Sequence, residues 1–213
     1  MQLKRSKIQE YFHSGTRADY KKGELIIRPQ DSSEYVYLIE SGFVKAYSIT
    51  KYGEENLHII RGQGDVFPLI WVLINEHRDI AYEVMEPASV WRQPKVAYLE
   101  FLQQSHDATT AMLDMTIRAY RTYAEHVNTL EYRTVRERTV SFLLACSRRF
   151  GTKLQNGATQ INAPLRQQDI ASSVNASRET TSRELSALTR KGLICINERT
   201  IVLNDVEKLQ KLL

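Results

Sequence analysis

Short apolar runs alternate with turn residues through the first half of the chain. Six runs rich in β-branched and aromatic residues follow one another, and turns that carry glycine separate them at near-regular spacing. This rhythm predicts an all-β N-terminal domain, either a sandwich or a small barrel. The predicted strands are residues 25–27, 35–39, 43–49, 57–60, 80–85 and 89–92. Residues 1–18 are predicted to form a short helix or an arm.

After Pro94 the apolar period becomes that of a long helix over residues 107–132. One set of apolar residues recurs at spacings of four and three, which is a heptad seam. The seam consists of Leu113, Ile117, Tyr120, Ala124 and Val127. A second stripe beside it consists of Met112, Met115, Ala119 and Tyr123. One stripe is expected to pack on the β domain and the other on a partner chain; the alternative is one long helix buried within a single subunit.

The segment 165–188 has the pattern of two short helices joined by a tight turn. Ile170, Ala171 and Val174 give the first helix a buried face. Asn175 follows directly, and Asn is one of the few residues other than Gly that tolerate a left-handed conformation. The first helix is therefore predicted to end there.

The second helix of this segment begins at a favourable N-cap, Ser177, and packs through Leu185 and Leu188. Four polar residues fall mostly on its other side: Arg178, Glu179, Ser182 and Arg183. Arg and Glu near the start of the second of two short helices predict a helix-turn-helix that binds double-stranded DNA. An ordinary helical hairpin with a solvated charged face is the alternative.

Flanking elements complete a C-terminal domain. A helix over residues 135–150 ends at Gly151, and two strands, 193–196 and 200–203, form a wing around a polar turn. The predicted fold class is α+β. Its parts are a β-barrel sensor domain with an N-terminal arm at 1–104, a dimerisation helix at 105–134 and a winged helix-turn-helix at 135–213. The heptad seam is assigned to a homodimer, because helix-turn-helix proteins commonly read two half-sites by twofold symmetry.

The positive charge of the chain is concentrated in this C-terminal domain. Residues 137–213 carry 12 Lys and Arg against 7 Asp and Glu, a net charge of +5, whereas the whole chain has only +4. Such a distribution is what a phosphate-contacting surface requires. With no apolar run of roughly 18 residues and no apolar signal core in the basic N-terminus, the chain is expected in the cytoplasm, away from membranes.

Two other classes of protein are disfavoured. A metal-dependent barrel enzyme needs clustered histidines, but the barrel segment offers only isolated His58 and His77. The two cysteines, Cys146 and Cys195, lack metal-ligand spacing and are expected to be reduced, buried thiols. A helix-turn-helix that contacts protein instead of DNA is disfavoured by the positive charge. The chain is therefore predicted not to be an enzyme.

Several motifs together resemble the cyclic-AMP receptor/fumarate-nitrate regulator (Crp/Fnr) superfamily of bacterial transcription factors. The order of a strand barrel, a long helix and a winged helix is similar, and the resemblance covers essentially the whole chain. The motifs are KKGELIIRPQD, YVYLIESGFVKAY, GQGD, RERTVSFLLACSRRFG and the recognition-helix signature SRET at residues 177–180. The resemblance implies a DNA-binding transcription regulator.

The resemblance also implies how DNA bases are read. The family residues that match Glu179 and Arg183 read the G·C pairs of a TGA core. The side chains suit this role, because a carboxylate accepts a hydrogen bond from cytosine N4 and a guanidinium donates to guanine O6 and N7. Ser182 completes E-x-x-S-R, which is similar to the fumarate-nitrate subgroup and favours a TTGAT-like half-site. Arg178 resembles the cyclic-AMP receptor branch and is assigned to a further base, with a phosphate or solvent contact as the alternative.

Other residues are assigned to positions around the bases. The residues predicted to contact backbone phosphates are Arg166, Ser177, Thr180 and Arg199. Thr181 and Glu184 stand where the family usually has apolar residues and are assigned to structure. The turn Lys51-Tyr52-Gly53-Glu54 resembles the barrel loop that touches RNA polymerase in activators, so activation is favoured over repression; a plain hairpin turn is the alternative.

The sensory cassette departs from the family pattern. Cyclic-AMP-binding members supply backbone amides and a Glu for ribose, then Arg-Ser for phosphate. Counted from Gly64-Asp65, the matching positions hold Pro68 and Leu69, then Asp79 and Ile80. Proline has no amide hydrogen, leucine cannot bind hydroxyl groups and aspartate repels phosphate. Cyclic AMP is therefore not expected.

No other cofactor is predicted. Two cysteines cannot ligate an iron–sulfur cluster, and a Cys146/Cys195 redox switch is weaker still. Haem is disfavoured because the candidate axial ligands have no supporting motif; they are His58, His77, His106 and His126. An apolar effector near Trp71 or the absence of any effector remain as alternatives.

Overall fold

The structure, a computed structural model, describes residues 7–31, 34–74, 79–198 and 200–213. The chain divides into two compact units. The first comprises Met1–Ser48 and Ile59–Thr122, and the second comprises Ile49–His58 and Tyr123–Leu213. The long helix passes from one unit to the other, at Thr122 and Tyr123.

Two antiparallel four-stranded sheets form most of the first unit. Their orders are β1-β8-β3-β6 and β2-β7-β4-β5. The strands are β1 (Thr16–Tyr20), β2 (Leu25–Ile27), β3 (Tyr35–Ser41), β4 (Val44–Ile49), β5 (Glu55–Arg61), β6 (Val66–Phe67), β7 (Ala81–Val84) and β8 (Ala88–Pro94). The predicted β domain is confirmed. The stretch 1–18, predicted as a short helix or an arm, contains the helix Lys7–His13, but β1 begins at its end, which was not predicted. The sequence of β1, TRADY, has no apolar run, and the strand is held by backbone pairing with β8.

Four helices accompany these sheets. They are α1 (Lys7–His13), α2 (Leu69–Ile74), α3 (Lys95–Gln104) and α4 (His106–Glu131). Helices α1, α3 and the first part of α4 share one apolar core with β3, in which Phe12, Tyr98 and Met112 are buried. The Tyr98 hydroxyl lies 3.2 Å from the Met112 sulfur. Met112 and Ala119 are buried in this core and Met115 packs against it, so the second apolar stripe of α4 meets the β domain as predicted.

The part of the second unit that follows α4 is a winged helix. After α4 its elements are α5 (Val135–Phe150), β9 (Gly151–Lys153), β10 (Thr159–Ile161), α6 (Gln167–Ser173), α7 (Arg178–Arg190), β11 (Ile194–Asn197), β12 (Thr200–Leu203) and α8 (Val206–Gln210). The sheet order is β11-β12-β10-β9. The predicted wing is confirmed as the β11–β12 hairpin. Strands β9 and β10 and helix α8 were not predicted, because segments of three to five residues carry too little periodicity.

The cysteines of this unit differ in environment. Cys146 is buried in α5, and burial raises the pKa of its thiol to about 12. Cys195 is only half-buried in β11, so the prediction that both thiols are buried is wrong for Cys195. Successive side chains of a strand point to opposite faces, and Ile194 and Ile196 take the face opposite that of Cys195. Both cysteines are free thiols.

His126 makes the stability of the second unit sensitive to pH. It lies on α4, and its Nδ1 atom is 3.5 Å from the Ser173 hydroxyl of α6. Burial lowers the pKa of His126 from its ordinary value of 6.5. Below pH 6.5 the unfolded chain therefore binds a proton that the folded chain does not, and the free energy of unfolding falls as the pH falls.

We expect His126→Gln to flatten this pH dependence, because glutamine retains a hydrogen-bonding side chain but does not titrate. Urea unfolding followed by circular dichroism at about pH 7.5 and about pH 5.5 measures the effect, since histidine titrates between these values. The exposed His106→Gln variant serves as the control and should keep the wild-type slope. An identical slope in wild type and His126→Gln would contradict the prediction.

Candidate nucleic-acid interface

The turn of the helix-turn-helix has the geometry that the sequence predicts. Helix α6 ends at Ser173 with Val174 as its C-cap, and Asn175 takes a left-handed conformation with φ of 49°. The Ala176 amide donates to the Ala171 carbonyl at 3.1 Å, which closes the turn. Ser177 caps α7, and its hydroxyl accepts from the Thr180 amide at 3.1 Å. Both the break and the cap are thus present at the predicted residues.

A buried carboxylate, which was not predicted from the sequence, fixes the start of α6. Asp169 is fully buried and accepts from the Arg166 backbone amide at 2.9 Å. Arg166 also donates to it through Nε at 3.1 Å and Nη2 at 2.9 Å. Arg166 therefore has a structural role at the first turn of α6, and its contact with a DNA phosphate stays a prediction. The signal that could have revealed the pair is the capping spacing of Arg166 and Asp169, three residues apart.

The exposed face of α7 carries the residues predicted to read DNA bases. Arg178, Glu179 and Arg183 are exposed, and Ser182 is half-buried. The Arg183 Nη2 atom donates to the Thr180 hydroxyl at 3.1 Å, one turn earlier on the helix. This contact restricts the orientation of the Arg183 guanidinium in the protein without DNA.

Glu179 is held as an anion at the start of α7. Hydrogen bonds from its own backbone amide and from the Ser177 hydroxyl lower the pKa of Glu179, and the neighbouring Arg178 and Arg183 add to the effect. An ionised carboxylate is acceptor-only. At neutral pH this side chain therefore presents oxygen acceptors at the exposed end of the helix, as cytosine N4 recognition requires.

A cleft lies between α6, α7 and the wing. It has a volume of about 550 Å³, and Arg166 and Arg178 both border it, with Leu185 and Ile201 among its apolar walls. Two predicted DNA-contacting residues thus share one concave surface. Arg199, the predicted phosphate contact of the wing, lies outside the described residues.

Thr181 and Glu184 occupy the inner side of α7, as their assignment to structure requires. Thr181 is fully buried. Glu184 accepts from the Nε atom of Arg136 on α5 at 2.7 Å. A charged pair therefore joins α5 to α7 at a place where the resemblance led us to expect an apolar contact.

The exposed seam of α4 matches the predicted dimer surface. The exposed fractions of Leu113, Ile117, Tyr120 and Val127 are 57%, 55%, 74% and 58%. Ala124 is half-buried. Side chains of this size usually lie in a protein core. Their repeat along one helix leaves an apolar stripe on the surface of this chain.

The described nucleotide positions of the sensory cassette hold the residues on which the prediction against cyclic AMP rests. Helix α2 follows the Gly64-Asp65 turn, but Pro68 has no amide hydrogen and Leu69 is only 5% exposed. Asp79 is exposed and would present negative charge to a phosphate. Arg78, next to the phosphate position, lies outside the described residues, as does His77.

Trp71 packs among other aromatic side chains. Its ring meets Tyr82 edge-on with centroids 6.3 Å apart, and Tyr82 stacks on Phe67 at 4.9 Å. The apolar residues of α2 that reach the surface are instead Ile70, Leu73 and Ile74. An apolar effector near Trp71 stays a prediction, and the structure shows that this tryptophan is itself part of the core.

The turn between β4 and β5 is tight and exposed. The Gly53 amide donates to the Thr50 carbonyl at 2.9 Å, and the Thr50 amide donates to the Glu54 carbonyl at 2.8 Å. Gly53 has φ of 80°, which favours glycine. Tyr52 is 77% exposed, with the Lys51 ammonium 5.0 Å from its ring centroid. Lys51, Tyr52, Gly53 and Glu54 therefore form a protruding surface, and its contact with RNA polymerase stays a prediction.

Two features are absent from residues 7–31, 34–74, 79–198 and 200–213. No cluster there of three or more His, Cys, Asp or Glu side chains is suited to holding a metal ion. No helix in the same ranges combines the length and hydropathy needed to cross a membrane.

Comparison with known proteins supports the class that these features define, a two-domain DNA-binding regulator. A cyclic nucleotide-binding domain model matches residues 17–105, and a Crp-like helix-turn-helix domain model matches residues 137–212. The global nitrogen regulator of Synechococcus elongatus is 30% identical over 195 residues, which covers 88% of this chain and 85% of the relative. A CRP-like cAMP-activated global transcriptional regulator of Mycobacterium tuberculosis is 25% identical over 193 residues, with 91% and 86% covered.

A solved structure gives the same result. FixK2 from Bradyrhizobium japonicum superposes with a TM-score of 0.80 at 26% identity, covering 93% of this chain and 96% of that one. The chain therefore belongs to the Crp/Fnr superfamily of transcription regulators.

The cap of α7 can be separated experimentally from phosphate contact. We expect Ser177→Ala to lower the free energy of unfolding by about 1 kcal/mol, because an N-cap hydroxyl is lost. Ser177→Asp should keep the cap and stay close to wild-type stability, yet weaken DNA binding through its negative charge beside the phosphates. Urea unfolding and DNA titration of the same preparations measure both effects. Equal stability of Ser177→Ala and wild type would show that the cap contributes nothing.

Proposed function

We propose that the protein is a homodimeric regulator that reads a palindromic TTGAT-like operator through residues 177–188 and does so without cyclic AMP. It acts on DNA in the cytoplasm. The observation that carries this proposal is the exposed face of α7, where Glu179 and Arg183 stand one turn apart. An acceptor and a guanidinium fork at that spacing match the two sides of adjacent G·C pairs.

Charge supports binding to the duplex. The net charge of +5 over residues 137–213 supplies the sequence-independent attraction to phosphates. Base contacts then decide register and specificity. Arg178, exposed at the first turn of α7, adds a third group to this face.

The α4 seam supports the homodimer. A contiguous apolar stripe on a water-exposed helix is a site for association. A second copy of α4 offers the same stripe, and twofold symmetry makes a surface of this kind self-complementary. Two recognition helices related by that symmetry would face the two halves of a palindrome.

Independence from cyclic AMP is supported by the residues at the nucleotide positions. The Mycobacterium tuberculosis relative is named for activation by cAMP. In this chain Pro68 and Leu69 lack the donors and acceptors that ribose and phosphate need, and Asp79 has the wrong charge. The exposed turn Lys51–Glu54 is the surface that we propose for contact with RNA polymerase, supported by the exposure of Tyr52.

Fluorescence anisotropy on a labelled palindromic TTGAT/ATCAA duplex tests base reading. We expect wild type to prefer this duplex over a scrambled one, and Arg183→Ala to lose about 1–3 kcal/mol of that preference because the guanine contact is removed. Arg190→Ala, an exposed arginine at the far end of α7, is the matched control and should keep the preference. Identical discrimination by wild type and Arg183→Ala would refute the assigned role.

The same titration with cyclic AMP present tests effector independence. Selective binding that the nucleotide leaves unchanged supports the proposal. Weak binding that cyclic AMP strengthens would overturn it, and would mean that the nucleotide contacts arise from residues in another register of the cassette. Absence of selective binding in both conditions would refute the proposed operator.

Sedimentation velocity tests the dimer. We expect Ile117→Glu to shift the protein towards monomer, because a buried unpaired carboxylate costs several kcal/mol at an interface. Arg118→Glu places the same residue at an exposed position outside the seam, about 100° around α4 from Ile117, and should remain dimeric. A wild-type monomer at micromolar concentration, or an unchanged Ile117→Glu dimer, would contradict the assignment of the seam.

A further inference from the structure

Arg138 joins the end of α4 to the turn of the helix-turn-helix. It lies in the second turn of α5, and its Nε atom donates to the Val174 carbonyl at 2.8 Å. Its Nη1 atom donates to the carbonyls of Tyr132, at 2.9 Å, and Arg133, at 3.3 Å. Val174 is the C-cap of α6, and Tyr132 and Arg133 link α4 to α5. One guanidinium therefore satisfies carbonyl groups at the ends of two helices.

An arginine is suited to this position for geometric reasons. Carbonyls at the end of a helix have no partner within the helix. The planar guanidinium has five donors in a fixed fork, so it can serve acceptors in different directions at once. A lysine ammonium keeps the charge but not the fork. The start of α5 is itself fixed, since Thr134 and Glu137 form a reciprocal capping box.

Further contacts hold the last turns of α4 in the same unit. The Thr129 and Ser141 hydroxyls lie 2.9 Å apart, joining α4 to α5. His126 approaches Ser173 of α6 at 3.5 Å. All these residues belong to the second compact unit, which begins on α4 at Tyr123. The end of α4 is thus built into the winged helix.

This part of α4 also carries part of the exposed seam. Val127, the last seam residue, is exposed on the same turns that hydrogen bonds attach to α5 and α6, and so is Leu130, which lies outside the seam. A partner chain bound at these residues would therefore be held at a fixed position relative to α6 and α7. Within the dimer, the orientation of each recognition helix would follow from this attachment.

We infer that Arg138 is a positioning residue for operator reading: it holds the helix-turn-helix at one orientation on the end of α4 and so sets the half-site spacing that the dimer accepts. The inference rests on the proposed dimeric operator reading. Arg138 makes no assigned base contact. Its loss should widen the range of spacings bound and leave the sequence preference within a half-site unchanged.

A series of palindromic TTGAT/ATCAA duplexes that differ by single base pairs in the spacer tests this inference. Each added base pair rotates one half-site by about 34° and moves it by about 3.4 Å relative to the other. Anisotropy titrations give, for each protein, the ratio of affinities for the best spacing and its neighbours. The ratio within one preparation does not depend on the fraction of active protein, so it separates positioning from simple loss of folding.

We expect wild type to bind one spacing much more tightly than the neighbouring spacings. In Arg138→Met this ratio of affinities should fall about tenfold, because hydrogen bonds from a charged group contribute free energy on that scale. Arg138→Lys should behave like Arg138→Met, because it retains only the charge. Arg148→Met is the control: its ion pair with Glu125 at 3.0 Å also joins α5 to α4, but both side chains are exposed and such a pair contributes little, so the wild-type optimum should remain.

The outcomes distinguish the inference from the function on which it rests. Failure of wild type to select any palindromic duplex would refute the proposed function. A sharp optimum that Arg138→Met or Arg138→Lys shares with wild type would refute the role of Arg138. Loss of preference for TTGAT over a scrambled half-site in Arg138→Met would also overturn it, since that result would mean a disordered reading face.

Discussion

Helix α4 is constrained on several faces at once, and the other elements depend on its register. Met112 and Ala119 are buried in the core of the first unit, while Thr129 is buried beside α5 in the second. Leu113 and Ile117 stay exposed on another face. A shift of one residue would turn the helix by about 100°. It would then expose Met112 and carry exposed seam residues towards the core. The buried residues of α4 therefore determine which of its residues remain exposed to a second copy.

The pattern along the chain predicted the elements that bury one regular face. The α4 seam, the wing and both helices of the helix-turn-helix follow from apolar spacing, and the Asn175 turn and Ser177 cap follow from local backbone chemistry. Strand β1 escaped detection because its five residues contain no apolar run, and pairing with β8 holds it. The burial state of Cys195 could not be read either, since it depends on which face of a two-strand wing packs inward.

The contacts of side chains with backbone groups could not be predicted from the sequence, for a different reason. Arg138 serves carbonyls of Tyr132, Arg133 and Val174, and carbonyls leave no signature in the sequence. Asp169 was visible only as an acidic residue in a helix, yet it is fully buried and paired with Arg166. The residues read correctly as facing outward are those of α7, where the alternation of Leu185 and Leu188 with polar positions is strong. The outward face of α7 was thus easier to predict from the sequence than the contacts that orient the helix.

The environment of α2 bears on how such a protein is regulated. A ligand shifts an equilibrium only by as much as its affinities for the two states differ. Here Leu69, Trp71 and Val72 are buried, and the packing of Trp71 on Tyr82 holds the helix through the protein's own side chains. These side chains are apolar, which is the observation behind the proposed independence from cyclic AMP. The hydrogen bonds of Thr129 and Arg138 lie elsewhere, where the end of α4 meets α5 and α6 within the second unit.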